Sequence, residues 1–377
     1  MLSFYEFFAG GGMARAGLGE GWQCLLANDV DPKKAASYAR NWGDGDLRVG
    51  DVGALRVDEL PGRADLVWAS FPCQDLSLAG AGAGLNGSRS GAFWAFWRLV
   101  RGLGEVGRAP PLVVLENVCG ALSSHQGRDF AALAGALSEA GYRFGAVVIN
   151  AAHFVPQSRP RLFIIGVRHD APMPPDVLAD GPLSLWHPLA LVQAQRGLAA
   201  SVQANWLWWR LPEPARRQTV FADVLEDAPQ GVAWHSPAQT QAWLALMSPR
   251  NLAKVEAAKR AGRRMVGAMY RRTRHEGPTR RKVQRAEVRF DQVAGCLRTP
   301  AGGSSRQVIL VVEGEQVRSR LLSPRETARL MGLPDSYQLP ATVGDALHLT
   351  GDGVAAPVVR FLARHLLEPI ARGQGHT

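Results

Sequence analysis

The feature that most limits the fold is a recurring unit: a short apolar run, a turn, then a helical pattern. The runs fall at residues 2–8, 23–27, 64–70, 111–115, 144–149 and 162–167. They have the length of buried strands, and several are apolar without alternation, as strands covered on both faces are. Helical patterns occupy 31–42, 90–103 and 130–140. Strands alternating with helices predict an α/β fold, a Rossmann-like doubly wound sheet. Such sheets bind ligands beyond the carboxyl ends of their strands, so the residues that close each run are the candidates for chemistry.

Phe71-Pro72-Cys73-Gln74 closes the third run. Pro72 cannot donate to a ladder, so the strand should stop there. Cys73 would then stand at the sheet edge near loop amides, a setting that favours a thiolate. An isolated free cysteine is more often a buried thiol, so the neighbouring turns decide its reading. The first run ends in Ala9-Gly10-Gly11-Gly12, and glycines there allow positive φ and close approach of a ligand. The spacing is not GxGxxG, and no P-loop Lys follows. The second run ends in Asn28-Asp29, where such folds grip ribose hydroxyls. Asp51 sits in a further acidic turn; both acids also suit plain turns. The fourth run ends in Glu116-Asn117-Val118, one βα unit after Cys73, and Gln157-Ser158-Arg159-Pro160-Arg161 precedes the last. The apolar Gly80-Ala81-Gly82-Ala83-Gly84 stretch is expected to close over a site.

The chain has 377 residues and a net charge of +10, which favours a polyanionic partner. Nearly all the basic residues are Arg, the better choice for bidentate phosphate and guanine contacts. Cys24, Cys73, Cys119 and Cys296 are scattered, so neither a zinc site nor a disulfide framework is expected, and a reducing compartment fits. The amino terminus does not read as a signal peptide, and no stretch reads as a membrane span. The character changes near Asp170. Beyond it, Trp186, Trp206, Trp208, Trp209, Trp234 and Trp243 mark an irregular stretch with helical pieces, and Arg271, Arg272 and Arg281 belong to its densest charge. Such charge is either a solvated face or a groove for a phosphate backbone. A polar loop with Thr299, Gly302 and Gly303 leads into a strand at 308–312. Ser323-Pro324-Arg325-Glu326 starts a helix, with Ser as cap and Glu three residues on. Thr350-Gly351-Asp352-Gly353-Val354 is expected to open the last helix, over 356–367.

In this order, the motifs closely resemble those of the DNA (cytosine-5)-methyltransferases. Phe8-Ala9-Gly10-Gly11-Gly12 matches their methyl-donor motif, Phe71-Pro72-Cys73-Gln74 the catalytic motif, and Glu116-Asn117-Val118 the acidic motif. Gln157 to Arg161 matches the arginine motif, and Arg325-Glu326 through Met331-Gly332-Leu333-Pro334-Asp335 the motif that packs against the recognition domain. The resemblance covers roughly 1–170 and 295–370. It departs at Asp352, where the family usually has Asn, and at Gly11, where a larger residue is common. It implies a catalytic domain over 1–175 completed by 335–377, and a target-recognition domain over 176–334.

The resemblance further implies S-adenosyl-L-methionine as cofactor, held by Phe8, Gly10, Gly12, Asp29, Asp51, Phe93, Asp352 and Val354. Asp29 would take the ribose hydroxyls, Asp51 the adenine amino group, and Phe93 the adenine side. Cytosine C5 is a poor nucleophile, and a thiolate added to C6 makes it an enamine. Cys73 is the expected nucleophile, Glu116 the acid at N3, and Arg161 with Arg159 the hold on O2 or the adjacent backbone. The target base must be flipped out of its duplex. Gln74, Ser77, Thr299, Gly302, Gly303, Arg271, Arg272 and Arg281 are the expected DNA contacts. The expected partner is double-stranded DNA, with a cognate restriction endonuclease as a further candidate. A monomer, bacterial or phage-encoded, acting in the cytoplasm at the nucleoid is expected, without a metal. The alternatives are an RNA cytosine-5-methyltransferase and a catalytically silent DNA-binding regulator.

Overall fold

The computed structural model describes residues 1–72, 91–276, 281–299 and 306–373. Of the expected site residues, Cys73, Gln74, Ser77, Gly302 and Gly303 lie outside the described residues, as does the stretch at 80–84. The chain forms two compact units. One comprises 1–150, 160–214 and 354–377; the other comprises 151–159 and 215–353.

The first unit begins with β1 (Leu2–Phe7), α1 (Met13–Leu18), β2 (Trp22–Asp29), α2 (Pro32–Trp42) and β3 (Leu47–Val49). It continues through β4 (Leu66–Ala69), α3 (Ala92–Glu105), β5 (Leu112–Val118), α4 (Arg128–Glu139), β6 (Tyr142–Asn150) and β7 (Pro160–Arg168). The strands make one sheet in the order β3-β2-β1-β4-β5-β7-β6. From β3 to β5 all neighbours are parallel, as expected for a doubly wound sheet. β7 instead runs antiparallel to both β5 and β6. β1 lies between β2 and β4, so the order turns back there and a crevice opens beyond those strand ends.

Local chemistry places these elements. Asp31 caps α2 by accepting from the amides of Lys33 (2.8 Å) and Lys34 (3.4 Å), with Pro32 in the first turn. Tyr5 and Phe7, two residues apart on β1, enter the core with Phe96 and Leu99 of α3 and Leu133 and Leu137 of α4. β8 (Leu178–Ala179), α5 (Leu189–Arg196), α6 (Ala200–Gln203) and β9 (Trp208–Trp209) complete this stretch. Trp186 and Trp206, read with the irregular region, therefore serve the first unit's core. Trp206 stands edge-on to Phe130 and Phe144, and Trp186 packs on Phe361.

The second unit contains α7 (Pro237–Ala245), α8 (Pro249–Lys259), β10 (Met265–Glu276), β11 (Arg281–Arg289), β12 (Val308–Glu313), β13 (Gln316–Leu321), α9 (Pro324–Leu330) and α10 (Val343–Asp352). Its antiparallel sheet has the order β11-β10-β12-β13. Val255 and Ala258 of α8 pack against Met269, Val288 and Leu310. Met265–Glu276 and Arg281–Arg289, read as irregular, are thus long paired strands. Their outer residues are charged on both faces and carry no apolar alternation to betray a strand. α9 begins at the expected capping box: Ser323 Oγ accepts from the Glu326 amide, and Glu326 accepts from the Ser323 amide.

The helix expected over 356–367 begins at Ala356 and stays helical through Ala363–Leu367, but the stretch before it differs. Residues 350–352 end α10, which starts under the cap of Thr342, and a break at Gly353 separates it from α11 (Ala356–Leu362). α12 (Glu368–Arg372) follows. α11 packs on α1 in the first unit. A Cβ on Gly17 would lie 2.4 Å from Val359 Cβ and 2.5 Å from the Ala356 carbonyl oxygen, so only glycine permits this approach. Among the described residues no helix is long and apolar enough to cross a membrane.

Candidate active site

The turn after β1 alternates residues of positive φ: Phe8 (59°), Gly10 (57°) and Gly12 (75°). A Cβ on Gly10 would meet nothing within 4 Å, so its side of the turn is open. A Cβ on Gly12 would lie 2.3 Å from Trp42 Nε1, so that position excludes any side chain. Asp29 accepts from the Gly10 amide at 2.7 Å and the Asp31 amide at 2.8 Å, which fixes the carboxylate beside the turn. Burial raises its pKa above the ordinary carboxylate value, and these amides pull it back. Each oxygen keeps a second lone pair for a hydroxyl donor. Asp51 is exposed and accepts from the Gly53 amide at 2.8 Å. Phe8 is half-buried, edge-on to Phe71 and Phe96. Phe93 was expected to face the donor's adenine, but it has no exposed surface and packs among Phe71, Phe96 and Trp97. It supports Phe71 from behind. Val354 is buried.

Two partners of this turn escaped the sequence reading. Trp42 Nε1 donates to the Gly11 carbonyl oxygen at 3.0 Å, and the Arg15 guanidinium lies 5.2 Å from the Trp42 ring centre. Arg15 in turn reaches the Tyr38 hydroxyl (2.6 Å) and Asp46 (2.7 Å). A tryptophan at the end of a helix carries no local signal of such a role. Glu6, on β1 beneath the turn, is 2% exposed. Burial pushes its carboxyl up to about 8, against the pull of the Arg15 guanidinium and the amides of Arg15 and Ala14. The ordinary value is 4.5, so the folded state holds a proton that the unfolded chain gives up. Stability is therefore full below about pH 4.5 and falls as pH rises towards about 8. Glu6→Gln should flatten that fall, read as urea midpoints from pH 5 to pH 9. Parallel pH slopes for the two proteins would refute the assignment.

At the far side of β4, Glu116 is 5% exposed. Its Oε1 lies 3.3 Å from Arg161 Nε, which enters on the antiparallel strand β7. Arg161 Nη1 donates to the Pro160 carbonyl oxygen at 2.9 Å. Asn117 Nδ2 donates to the Phe71 carbonyl oxygen at 3.1 Å, and its Oδ1 accepts from the Val118 amide at 2.8 Å. Asn117 thus holds the segment that ends at Pro72, the last described residue before Cys73. The acidic motif and the cysteine motif are physically joined through this amide. Cys119 sits half-buried beside this pair; burial raises its thiol pKa and Arg161 lowers it.

The two arginines of the arginine motif part company. Arg159 belongs to the second unit and is 1% exposed. Its guanidinium donates to the carbonyl oxygens of Leu297 (2.8 Å), Gly351 (2.8 Å) and Gly353 (2.6 Å). These bonds commit both Nη groups to backbone carbonyls, which gives Arg159 a positioning task beside the expected hold on O2 or the adjacent backbone. Beside it, Gln157 ties the Leu330 carbonyl oxygen to the Leu297 amide. Gly351 lets α10 meet the loop that carries Thr299, since a Cβ there would lie 2.6 Å from the Thr299 amide nitrogen. Asp352 is exposed at the end of α10, and Thr299 is half-buried. Arg271 and Arg272 lie exposed on β10, over Trp243 and Tyr270 respectively, and Arg281 opens β11.

The profile of the C-5 cytosine-specific DNA methylases matches residues 2–368. The Type II methyltransferase M.NlaX of Neisseria lactamica is 24% identical over 97% of this chain and 96% of its own. The Type II methyltransferase M.HpaII of Haemophilus parainfluenzae is 25% identical over 98% of this chain and 90% of its own. Among solved structures, the S. pombe Dnmt2 methyltransferase shares the fold at a TM-score of 0.59, with 17% identity over 98% of this chain and 99% of that one. The open glycine turn and the fixed, half-satisfied Asp29 carboxylate suit the donor this family uses, S-adenosyl-L-methionine. With the profile spanning both units, the chain belongs to the C-5 cytosine-specific DNA methylase family.

Proposed function

We propose that this chain methylates C5 of a flipped-out cytosine within one short duplex DNA sequence, through a covalent Cys73 adduct. The observation that carries the reading is the Glu116–Arg161 pair on adjacent strands, joined through Asn117 to the segment that leads into Cys73. Cys73 forms a bond from sulfur to C6 while Glu116 gives a proton to N3, and C5 gains enamine character. Arg161 holds O2 with a charge-assisted hydrogen bond. S-adenosylmethionine, when bound, supplies an electrophilic sulfonium methyl group. Once C5 is methylated, a base takes the C5 proton, the C6–sulfur bond breaks, N3 returns its proton to Glu116 and the Cys73 thiolate is restored. Phe8, Gly10, Gly12, Asp29 and Asp51 would hold the donor. The first unit carries this chemistry and the second reads the target. Arg271, Arg272 and Arg281 supply contacts to phosphate, with Gln74, Ser77, Thr299, Gly302 and Gly303 near the distorted strand. A monomer acting in the cytoplasm fits, with or without a partner endonuclease.

The test is transfer of a labelled methyl group from the donor to duplex DNA of mixed sequence, followed by base-resolved cytosine mapping. Label at C5 within one short motif is the expected result. Label in structured RNA alone would replace the substrate. No label in either, with the donor bound, would leave a DNA-binding regulator.

A further inference from the structure

The paired strands β10 and β11 leave their core at Tyr270. Arg271 to His275 are exposed on one strand, as are Arg281, Lys282 and Gln284 on the other. Pairing runs unbroken from Ala268 opposite Arg289 to Glu276 opposite Arg281. The result is a two-stranded ribbon standing clear of the sheet, an object the DNA major groove admits.

Residues directly opposite in an antiparallel pair share a face. One face therefore carries Arg272 with Arg285, Arg274 with Val283, and Glu276 with Arg281. Carboxylates engage two of its arginines: Arg274 Nε lies 2.6 Å from Glu287, and Arg285 Nε lies 2.6 Å from Glu276. The opposite face carries Arg271, Thr273, His275, Lys282 and Gln284, with no carboxylate among its described residues. A face without carboxylates suits the floor of the strongly negative groove, and one with acids is left towards its mouth, where Arg272 and Arg281 can still meet phosphate. At its centre Gln284 Nε2 donates to Thr273 Oγ1 at 2.8 Å. That bond orients the amide and leaves its Oε1 and second N–H for a base edge. A glutamine amide used in this way matches adenine, whose N6 donates and whose N7 accepts.

We propose that the Thr273–Gln284 face of this ribbon enters the major groove and specifies an A·T pair in the target sequence through Gln284. Lys282 and Arg271 on the same face meet phosphate on the groove walls. The inference rests on the DNA reading proposed above and names the residue that gives it selectivity.

The experiment compares wild type, Gln284→Ala and Gln284→Glu by base-resolved mapping of methylated cytosines on mixed-sequence duplex DNA, all at one salt concentration. Wild-type methylation without any A·T requirement overturns the assignment. With such a requirement, Gln284→Ala should still methylate cytosine but lose about 5- to 150-fold of discrimination at one A·T position. Gln284→Glu should shift that position towards C·G, since a carboxylate accepts from cytosine N4. The double variant Arg274→Gln/Glu287→Gln, on the other face, should keep the wild-type motif. An unchanged motif in both Gln284 variants, or a changed one in the double variant alone, would overturn the inference. Failure of wild type to methylate DNA at all would strike the underlying reading instead, so the two failures are separable.

Discussion

Alanine at Cys73 should abolish methyl transfer, and glutamine at Glu116 should slow it by about 10²–10⁴-fold, the usual worth of a positioned acid. Donor binding should survive in both, because neither residue belongs to the glycine turn or to Asp29. The reason for the Glu116 effect is local. Its carboxyl is buried and lies 3.3 Å from Arg161 Nε, so in the proposed reaction it would both serve N3 and orient the guanidinium assigned to O2. Glutamine keeps the shape but has no proton to give. The measurement is single-turnover transfer to duplex DNA, paired with trapping on duplexes carrying 5-fluorocytosine, whose C5 has no proton to lose. Wild type should leave a covalent adduct and Cys73→Ala none. An adduct in Cys73→Ala, or a Glu116→Gln rate within a few-fold of wild type, would remove these residues from their roles.

The second large effect concerns folding. Arg320 and Glu326 are both wholly buried in the second unit and paired through two bonds, of 2.6 and 2.8 Å. Arg320 also donates to the carbonyl oxygens of Leu321 and Glu226, and lies 4.9 Å from the Trp234 ring centre. Glu326 accepts from the amides of Ser323 and Glu226 as well, so the pair joins β13, the first turn of α9 and the chain at Glu226. Removing one partner strands the other charge in the interior. Glu326→Gln should therefore cost about 3–5 kcal/mol, measured by urea unfolding of the full chain. Arg320→Met/Glu326→Leu should lose much less, since it buries no lone charge. Equal losses for the single and double variants would mean that packing, and not charge, dominates there.

Strand-forming runs were legible because buried parallel strands are short and apolar, and their closing residues were legible because tight turns admit few residue types. The αβ architecture, the glycine turn, Asp29 and the place of Glu116 follow from such signals, while the role expected of Arg161 came from the family resemblance. The capping box at Ser323 is equally local, since its partners are three residues apart. The direction of β7 was not legible, because an apolar run has the same pattern whichever way it points. Nor was the ribbon, whose outer strands satisfy their backbone in a ladder while both faces meet water. The end of α10 was not legible because a Gly-Asp-Gly turn can close one helix as readily as it can open the next.

The sequence by itself determined which residue types stand at the ends of strands, and with them the family and the chemistry. Only the tertiary structure decided how those residues are used. Arg159 and Arg161 stand two positions apart in one motif. One is spent on backbone carbonyls of the second unit, and the other is left beside Glu116 in the first. Phe93 is sealed within an aromatic core, and Trp42 becomes the partner of the glycine turn. Turn and strand preferences act over a few residues and can be read along the chain. Hydrogen-bond commitments, burial and the separation of a ribbon's two faces depend on which distant segments meet. That information exists only once the chain has folded.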